Sequence, residues 1–289
     1  MADPAPALVA LDNALAAAVK AVGPSVVHVA RGHHQGGTGI AWDADLVITS
    51  NFHTPDRTRI GVATADGELD DREAEVIGRD RGTDVALLRV SGGGLTPAAF
   101  RELGDLSVGN LALAIGRPGR TARASLRAIG VLGPEVETPH GGTLDRYIES
   151  DRQIPRGFAG GPLVTPDGGV LGMNTRTLLH SADLAVPTST LRTVVAELLA
   201  HGGIRKGYLG VGAFPSKLGA IIASLEDDGP AAKAGVIVGD IITDVDGDAV
   251  TGPDTLRSVL ASRAGKSVKV ILLRGGVRTE LDVTIGSRS

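Results

Sequence analysis

From Ser25 to about Pro187 the chain is a series of short β-branched runs, at 26–30, 46–49, 85–90 and 111–115 among others, each broken off by Gly, Pro, Asp or Asn. Runs of this length between turn formers read as strands, and many of them in succession predict a barrel or a sandwich. The cores must be aliphatic, because four Phe, two Tyr and one Trp are the only aromatic residues among 289. That leaves little surface for stacking on bases, and 29 Lys and Arg against 33 Asp and Glu supply no excess cation for phosphates. A nucleic-acid partner is therefore not expected. The absence of cysteine excludes disulfides, thiolate nucleophiles and thiolate metal sites.

Helical patterns flank the β-rich block. Residues 7–22 set Leu8, Leu11, Leu15, Val19 and Val22 on one face, and Gly23-Pro24 ends the pattern. Thr188 or Ser189 can cap a second helix bearing Leu191, Val194, Val195, Leu198 and Leu199, closed by Gly202-Gly203. Beyond Arg205 comes a mixed block: strands at 220–225, 241–245, 268–273 and 279–285, a short helix at 231–234 and a longer one at 253–263. Asp246-Gly247 and Gly275-Gly276 are hairpin turns. The expected organisation is an N-terminal helix (1–24), a β domain (25–188), a linker helix (189–204) and a small module (205–289). The apolar runs fall short of a membrane-spanning helix, and no basic start precedes an apolar stretch, so neither a span nor a signal segment is expected.

Three separated segments point to chemistry. The run at 46–49 leads into Ser50-Asn51-Phe52-His53; Thr83-Asp84 opens the run at 85–90; and Gly157-Phe158-Ala159-Gly160-Gly161 forms a glycine-lined turn. A His, an Asp and such a turn, in that order, is the order of chymotrypsin-like proteases, where an imidazole takes the proton of a serine hydroxyl and a carboxylate holds the ring. Here the position for the hydroxyl is Ala159. Alone, His53 reads as an ordinary surface histidine, Asp84 as a turn cap and Gly160-Gly161-Pro162 as a turn. His33-His34 reads as a solvated loop rather than a metal pair, since adjacent side chains point apart, and no metal site is expected. Asp244-Val245-Asp246-Gly247-Asp248 lacks the glycine and glutamate placement of a calcium loop, and Gly36-Gly37-Thr38-Gly39 lacks the lysine of a phosphate loop.

Taken together and in order, GTGIAW (37–42), SNFH (50–53), TDVALLRV (83–90), VGNLALAIGRPG (108–119), GFAGGPLV (157–164), GMNT (172–175), LAVP (184–187) and RKGYLGV (205–211) resemble the HtrA/DegP family. Gly229-Pro230-Ala231-Ala232, followed by Val238-Gly239-Asp240-Ile241, resembles a PDZ domain. The resemblance implies a mostly β chain: a chymotrypsin-like double β-barrel followed by an α+β PDZ domain, often assembled as a homo-oligomer such as a trimer. Such proteins cut unfolded or misfolded proteins in the periplasm or at the envelope, without a cofactor. Carried onto this sequence, His53 is the general base, Asp84 orients it, and Ala159 stands where the family has its nucleophilic serine. The N–H groups of Gly157 and Ala159 form the oxyanion hole, and Tyr208-Leu209-Gly210-Val211 is the loop that receives a peptide's terminal carboxylate.

With Ala159 the chain should be inactive, either through a deliberate Ser→Ala replacement or as a natural pseudoprotease that keeps peptide-binding or chaperone work. The intact His53, Asp84 and glycine turn favour the first. Two departures from the family pattern stand out. Pro155-Arg156-Gly157-Phe158-Ala159 replaces Asn-Pro-Gly-Asn-Ser, which changes the loop shaping the oxyanion hole. Thr175-Arg176-Thr177 puts a charge near a pocket expected to take small apolar residues. The eight residues from Gly212 to Gly219 are fewer than the family carries there, which predicts an abbreviated peptide groove.

Overall fold

The computed structural model describes residues 4–31, 34–52, 54–64, 68–179, 182–203, 206–261 and 263–288. It divides into two compact units, Met1–Gly203 and Ile204–Ser289.

In the first unit, six strands close a barrel in the order β1-β2-β3-β6-β5-β4: β1 (Val26–Arg31), β2 (His34–Ala41), β3 (Leu46–Ser50), β4 (Arg57–Ala63), β5 (Leu69–Asp80) and β6 (Val85–Val90). Val27, Val29, Ala41, Val47, Ile60 and Leu88 fill it. β4 and β5 are not apolar runs in the sequence. Their outward residues are Arg, Asp and Glu, and only alternate positions such as Thr58, Ile60 and Ala74 turn inward, which suffices because each strand buries one face. A second barrel comprises β7 (Leu111–Gly116), β8 (Arg123–Gly133), β11 (Tyr147–Ser150), β12 (Pro162–Val164), β13 (Val170–Thr175) and β14 (Leu184–Pro187), ordered β11-β14-β13-β12-β7-β8. Between β8 and β11 lies a two-stranded ribbon, β9 (Val136–Glu137) with β10 (Thr143–Leu144). The expected double barrel is what forms.

Helix α1 (Pro4–Val22) lays Leu15, Ala18, Val19 and Val22 on Val26, Leu113, Ile115 and Val164. The apolar face read from the sequence is only half used, since Leu8 and Leu11 stay exposed, at 64% and 38%. Over Pro6–Ser25 its mean hydropathy of 1.3 makes it long and apolar enough to cross a membrane by length and composition alone. This revises the expectation of no such segment, because the alanines between the leucines lengthen a stretch that contains no long apolar run. Helix α2 (Thr188–His201) buries Leu191, Val194, Val195 and Leu198 within the first unit and ends at Gly202 in the left-handed conformation. Its N-cap is Pro187 rather than Thr188 or Ser189: the Thr188 hydroxyl instead donates to Val170 O on β13, at 3.0 Å.

The second unit holds a sheet ordered β16-β17-β18-β20-β21: β16 (Val211–Ser216), β17 (Gly219–Leu225), β18 (Ile241–Val245), β20 (Ser267–Arg274) and β21 (Val277–Thr284). β19 (Asp248–Ala249) pairs with β18, and β15 (Lys206–Tyr208) with β22 (Gly286–Arg288). Helices α3 (Pro230–Lys233) and α4 (Pro253–Ala261) contribute Ala231, Leu256 and Leu260 to a core with Leu209, Ile222, Ile242, Val270 and Leu272.

The loop before β18 is held by one ion pair. The Arg274 guanidinium donates to both oxygens of Asp240, at 2.9 and 2.8 Å, and Ile237 N–H donates to one of them at 2.9 Å. Burial pushes the Asp240 carboxyl up, but the Arg274 hydrogen bonds, then the Ile237 N–H and the charge of Arg274, hold it below the ordinary value. A lowered carboxyl stabilises the fold above its unfolded value, about 3.9, and that contribution disappears as pH falls further through the folded value. Chemical denaturation at several pH values below 5 should therefore show a loss of stability across this window that is smaller in Asp240→Asn, with the variant already less stable at neutral pH.

Candidate functional site

Asp84 sits on the turn into β6 with φ +58°, one of two non-glycine residues outside the usual backbone region among those described. Asp tolerates this left-handed conformation better than most residues, and such strain is kept where neighbours over-determine it. The neighbours here are plain. Asp84 Oδ2 accepts from Ser50 Oγ at 2.8 Å and from Thr175 Oγ1 at 2.6 Å, and Oδ1 accepts from Phe52 N–H at 3.0 Å. Its own carbonyl receives Asn51 N–H at 2.9 Å. The segment 50–52 is thus gripped by one aspartate, while Thr54 turns back, its hydroxyl donating to Ser50 O at 2.6 Å. His53 lies outside the described residues, as does His33. An ionised carboxylate offers about four acceptor positions, so three described donors leave room for one more, on Oδ1.

The glycine turn lies in the other barrel, just before β12. Gly157 and Gly160 have φ +82° and +86°, and at Gly160 a Cβ would run into Thr38 O and the Thr49 hydroxyl, so only glycine fits there. Gly160 N–H donates to Asn174 O and Gly161 N–H to Phe158 O, at 2.8 and 2.9 Å. Asn174 in turn sends its side-chain N–H groups to Gly161 O and Pro162 O. Phe158 N–H is taken by Pro155 O. Among the described residues no acceptor meets the N–H of Gly157 or of Ala159, two places apart in the same tight turn. Backbone N–H groups left open in such a turn are donors of the kind that can receive an oxyanion. The departure at Phe158 is accommodated by burial: its ring lies on Gly116, where no Cβ could fit, beside Ala114, Ile154 and the half-exposed Ala159.

Thr38, buried on β2, joins the two barrels. Its hydroxyl donates to Gly157 O at 2.6 Å and accepts from Arg117 N–H at 2.8 Å, and its carbonyl takes the Thr49 hydroxyl at 2.7 Å. Arg117 reaches back to Val26 O and Gly23 O. Under the same loop, buried Arg127 donates to Arg152 O and Gln153 O, and its Nε has no partner among the described residues. The charge of Arg176, read from the sequence as facing the pocket, is met by Asp183 at 3.6 Å, and Asp183 also takes Ile154 N–H. Sequence reading singled out neither Thr38 nor Arg127. Thr38 lies inside GTGIAW, but nothing in the sequence says that its hydroxyl points across to residue 157. The described residues contain no cluster of His, Asp and Glu suited to a metal ion.

In the second unit, Tyr208, Leu209, Gly210 and Val211 form one end of a cleft of about 390 Å³ walled by β16 and α4. Gly210 has φ +70°, and the N–H groups of Leu209 and Gly210 meet no acceptor among the described residues. Leu256 and Leu260 supply apolar lining, and Glu226 and Arg257 stand at the rim.

Thr38→Val keeps the shape and strands the Gly157 carbonyl and the Arg117 N–H. Leaving a buried polar group unpaired costs about 1–3 kcal/mol. A loss of about 2–4 kcal/mol in urea unfolding is expected for Thr38→Val and most of it should return with Thr38→Ser.

Residues 37–173 match the family of trypsin-like peptidase domains and residues 207–285 that of PDZ domains. The chain is 32% identical over 274 residues to a probable periplasmic serine endoprotease DegP-like of Brucella suis, covering 87% of this chain and 52% of that protein. It is 31% identical to the periplasmic pH-dependent serine endoprotease DegQ of Escherichia coli, covering 86% and 59%. The chain thus spans about half the length of the curated relatives it matches. A serine endoprotease from Yersinia pestis superposes with a TM-score of 0.73 at 27% identity over 94% of this chain and 97% of that one. The HtrA-type protease AlgW with decapeptide does so with a TM-score of 0.75, 23% identity and coverage of 95% and 99%, a likeness of fold. A trypsin-like peptidase domain followed by a PDZ domain, together with these relatives and solved structures, supports an HtrA/DegP-like protease with a PDZ domain.

Proposed function

We propose that this chain is an HtrA-type serine endopeptidase in which every part of the acyl-transfer site is kept except the nucleophile. The observation that carries this is the Asp84 carboxylate, buried and held by three neutral donors with an acceptor position to spare, immediately beside the segment that leads into residue 53. In this reading His53 is the general base, and Asp84 fixes its tautomer and stabilises the imidazolium formed as it takes a proton. Gly157 N–H and Ala159 N–H stabilise the oxyanion, and they do so whatever side chain residue 159 carries. A methyl group at 159 has no oxygen to attack a carbonyl. Loss of the nucleophile alone costs on the order of a million-fold in kcat in the subtilisin precedent, so the chain as it stands binds without cutting.

The substrates are unfolded or misfolded proteins, with a small apolar residue before the cut bond. The pairing of exposed Arg176 with the largely buried Asp183, which also takes Ile154 N–H, supports this preference, because the Arg176 charge already has a counter-charge. The second unit takes peptide C-termini at Tyr208-Leu209-Gly210-Val211. Work outside the cytoplasm is supported by the relatives named periplasmic endoproteases, and assembly as a homo-oligomer such as a trimer belongs to this reading through the family resemblance. So complete a setting around Ala159 fits removal of a serine from a working protease better than drift, in which Ser50, Thr175 and the glycines would have loosened too.

Ala159→Ser should convert the chain into an enzyme that cleaves an unfolded protein such as reduced casein, at a rate that His53→Ala or Asp84→Asn then lowers by at least about a thousand-fold. Gel and mass-spectrometric analysis of the digest would check this. A folded serine form that cuts nothing, while the chain still binds unfolded protein, would establish the other reading: a peptide-binding or chaperone scaffold.

A further inference from the structure

The space beside residue 159 has two walls, and one ion pair runs between them. On one side Ile154, 3% exposed, packs with Phe158 and Ala159. On the other, β13 runs along the glycine turn, Gly160 N–H donating to Asn174 O and Asn174 N–H to Gly161 O, both at 2.8 Å. The chain then continues through Thr175, which reaches Asp84, into Arg176. On the proposed function, a substrate carbonyl is held at residue 159 with its oxygen at the Gly157 and Ala159 N–H groups. The side chain of the residue before the cut bond then lies between these walls.

Thr175 pairs with Leu184 on β14, so Arg176 and Asp183 face each other one step further along the ladder. The Asp183 side chain is 8% exposed; its Oδ2 accepts Ile154 N–H at 2.7 Å and stands 3.6 Å from Arg176 Nε. The carboxylate is thus tied to one wall by a hydrogen bond and to the other by charge. An ionised carboxylate has about four acceptor positions, so Asp183 can take a further donor. Behind it, the buried Arg127 guanidinium donates to Arg152 O and Gln153 O, and Arg152 Nε stands 3.4 Å from Asp151. Burial, then the charge of Arg152, lowers the Arg127 pKa, and the charges of Asp151 and Asp183 oppose that shift, so these groups share one field. In it three guanidiniums face two carboxylates, and Arg176 is the surplus cation.

We infer that Arg176 is an internal stand-in for a basic substrate side chain. It covers Asp183 and keeps lysine and arginine out of a pocket whose own carboxylate selects them once it is uncovered. A carboxylate at the foot of the corresponding pocket is what makes trypsin take basic residues. With Arg176 in place, an entering cation meets an occupied counter-charge and a like charge beside it, and a small apolar side chain meets neither. Arg176 and Asp183 are therefore the specificity-determining pair of the first unit. The inference rests on the proposed function and deepens it by naming the residue that sets the preference. A single, partly exposed ion pair adds little to stability, so Arg176→Ala leaves the fold intact.

Two measurements test it. In the first, the chain as it stands, Arg176→Ala and Arg176→Ala/Asp183→Asn are titrated with benzamidinium, a flat organic cation, by calorimetry. Arg176→Ala should bind it at least about ten-fold more tightly than the other two. Equal affinity in all three, no binding to Arg176→Ala, or a gain that survives Asp183→Asn would overturn the inference. In the second, the Ala159→Ser form, with and without Arg176→Ala, cleaves fluorogenic peptides that differ only in valine or lysine before the cut bond. The lysine-to-valine ratio of kcat/KM should rise at least about ten-fold with Arg176→Ala and fall back when Asp183→Asn is added. A ratio that Arg176→Ala does not move would overturn the inference and leave the protease reading standing. A folded serine form that cuts neither peptide would remove the protease reading. Benzamidinium binding that appears with Arg176→Ala and disappears with Asp183→Asn would still support the covered cation site.

Discussion

Two threonine hydroxyls, one from each barrel, cross the line on which the barrels meet. Thr38 on β2 donates to Gly157 O in the glycine turn, and Thr175 at the end of β13 donates to Asp84 Oδ2 at the start of β6. Each barrel thereby sets the other's functional segment: the first orients the turn that carries Ala159, the second completes the cage around the aspartate. Both hydroxyls are buried, so neither bond is diluted by water, and an alternative placement of the barrels would strand polar groups on both sides. The site is a property of the interface, since neither barrel alone holds all of it.

This explains what the sequence does and does not reveal. The barrels were legible because short β-branched runs between turn formers can do little else, and Asp84 and the glycine turn were legible through their order along the chain. The half-polar strands β4 and β5 were not, because a strand with one wet face carries Arg, Asp and Glu at every second position and looks like a loop. Thr38, Arg117 and Arg127 were missed for a different reason. Their partners lie 119, 91 and 26 residues away, and a hydroxyl or guanidinium does not announce a carbonyl so far along the chain. At Thr188 local capping preference lost to tertiary context, with the hydroxyl drawn to β13.

Ala159 makes the chain informative about division of labour. The elements that bind and orient, namely the carboxylate cage, the two open N–H groups and the second unit's cleft, are backbone geometry or neutral hydrogen bonds. None of them requires the serine. On the proposed function, a chain without the nucleophile can still hold a peptide across one site and a chain end in another, which makes trapping and scaffolding physically close neighbours of proteolysis on this architecture.

The account stands on residue 53 facing residue 159 across the barrel interface, with Asp84 behind it. The methyl group of Ala159 is itself a reporter of that arrangement. In the chain as it stands, with methyl-labelled alanine, a nuclear Overhauser experiment should show cross-peaks from the Ala159 methyl protons to the His53 ring, and these should weaken when Asp84→Asn releases the ring. An Ala159 methyl that sees Ile154 and Phe158 but never the His53 ring would contradict the assignment of these three positions to one site.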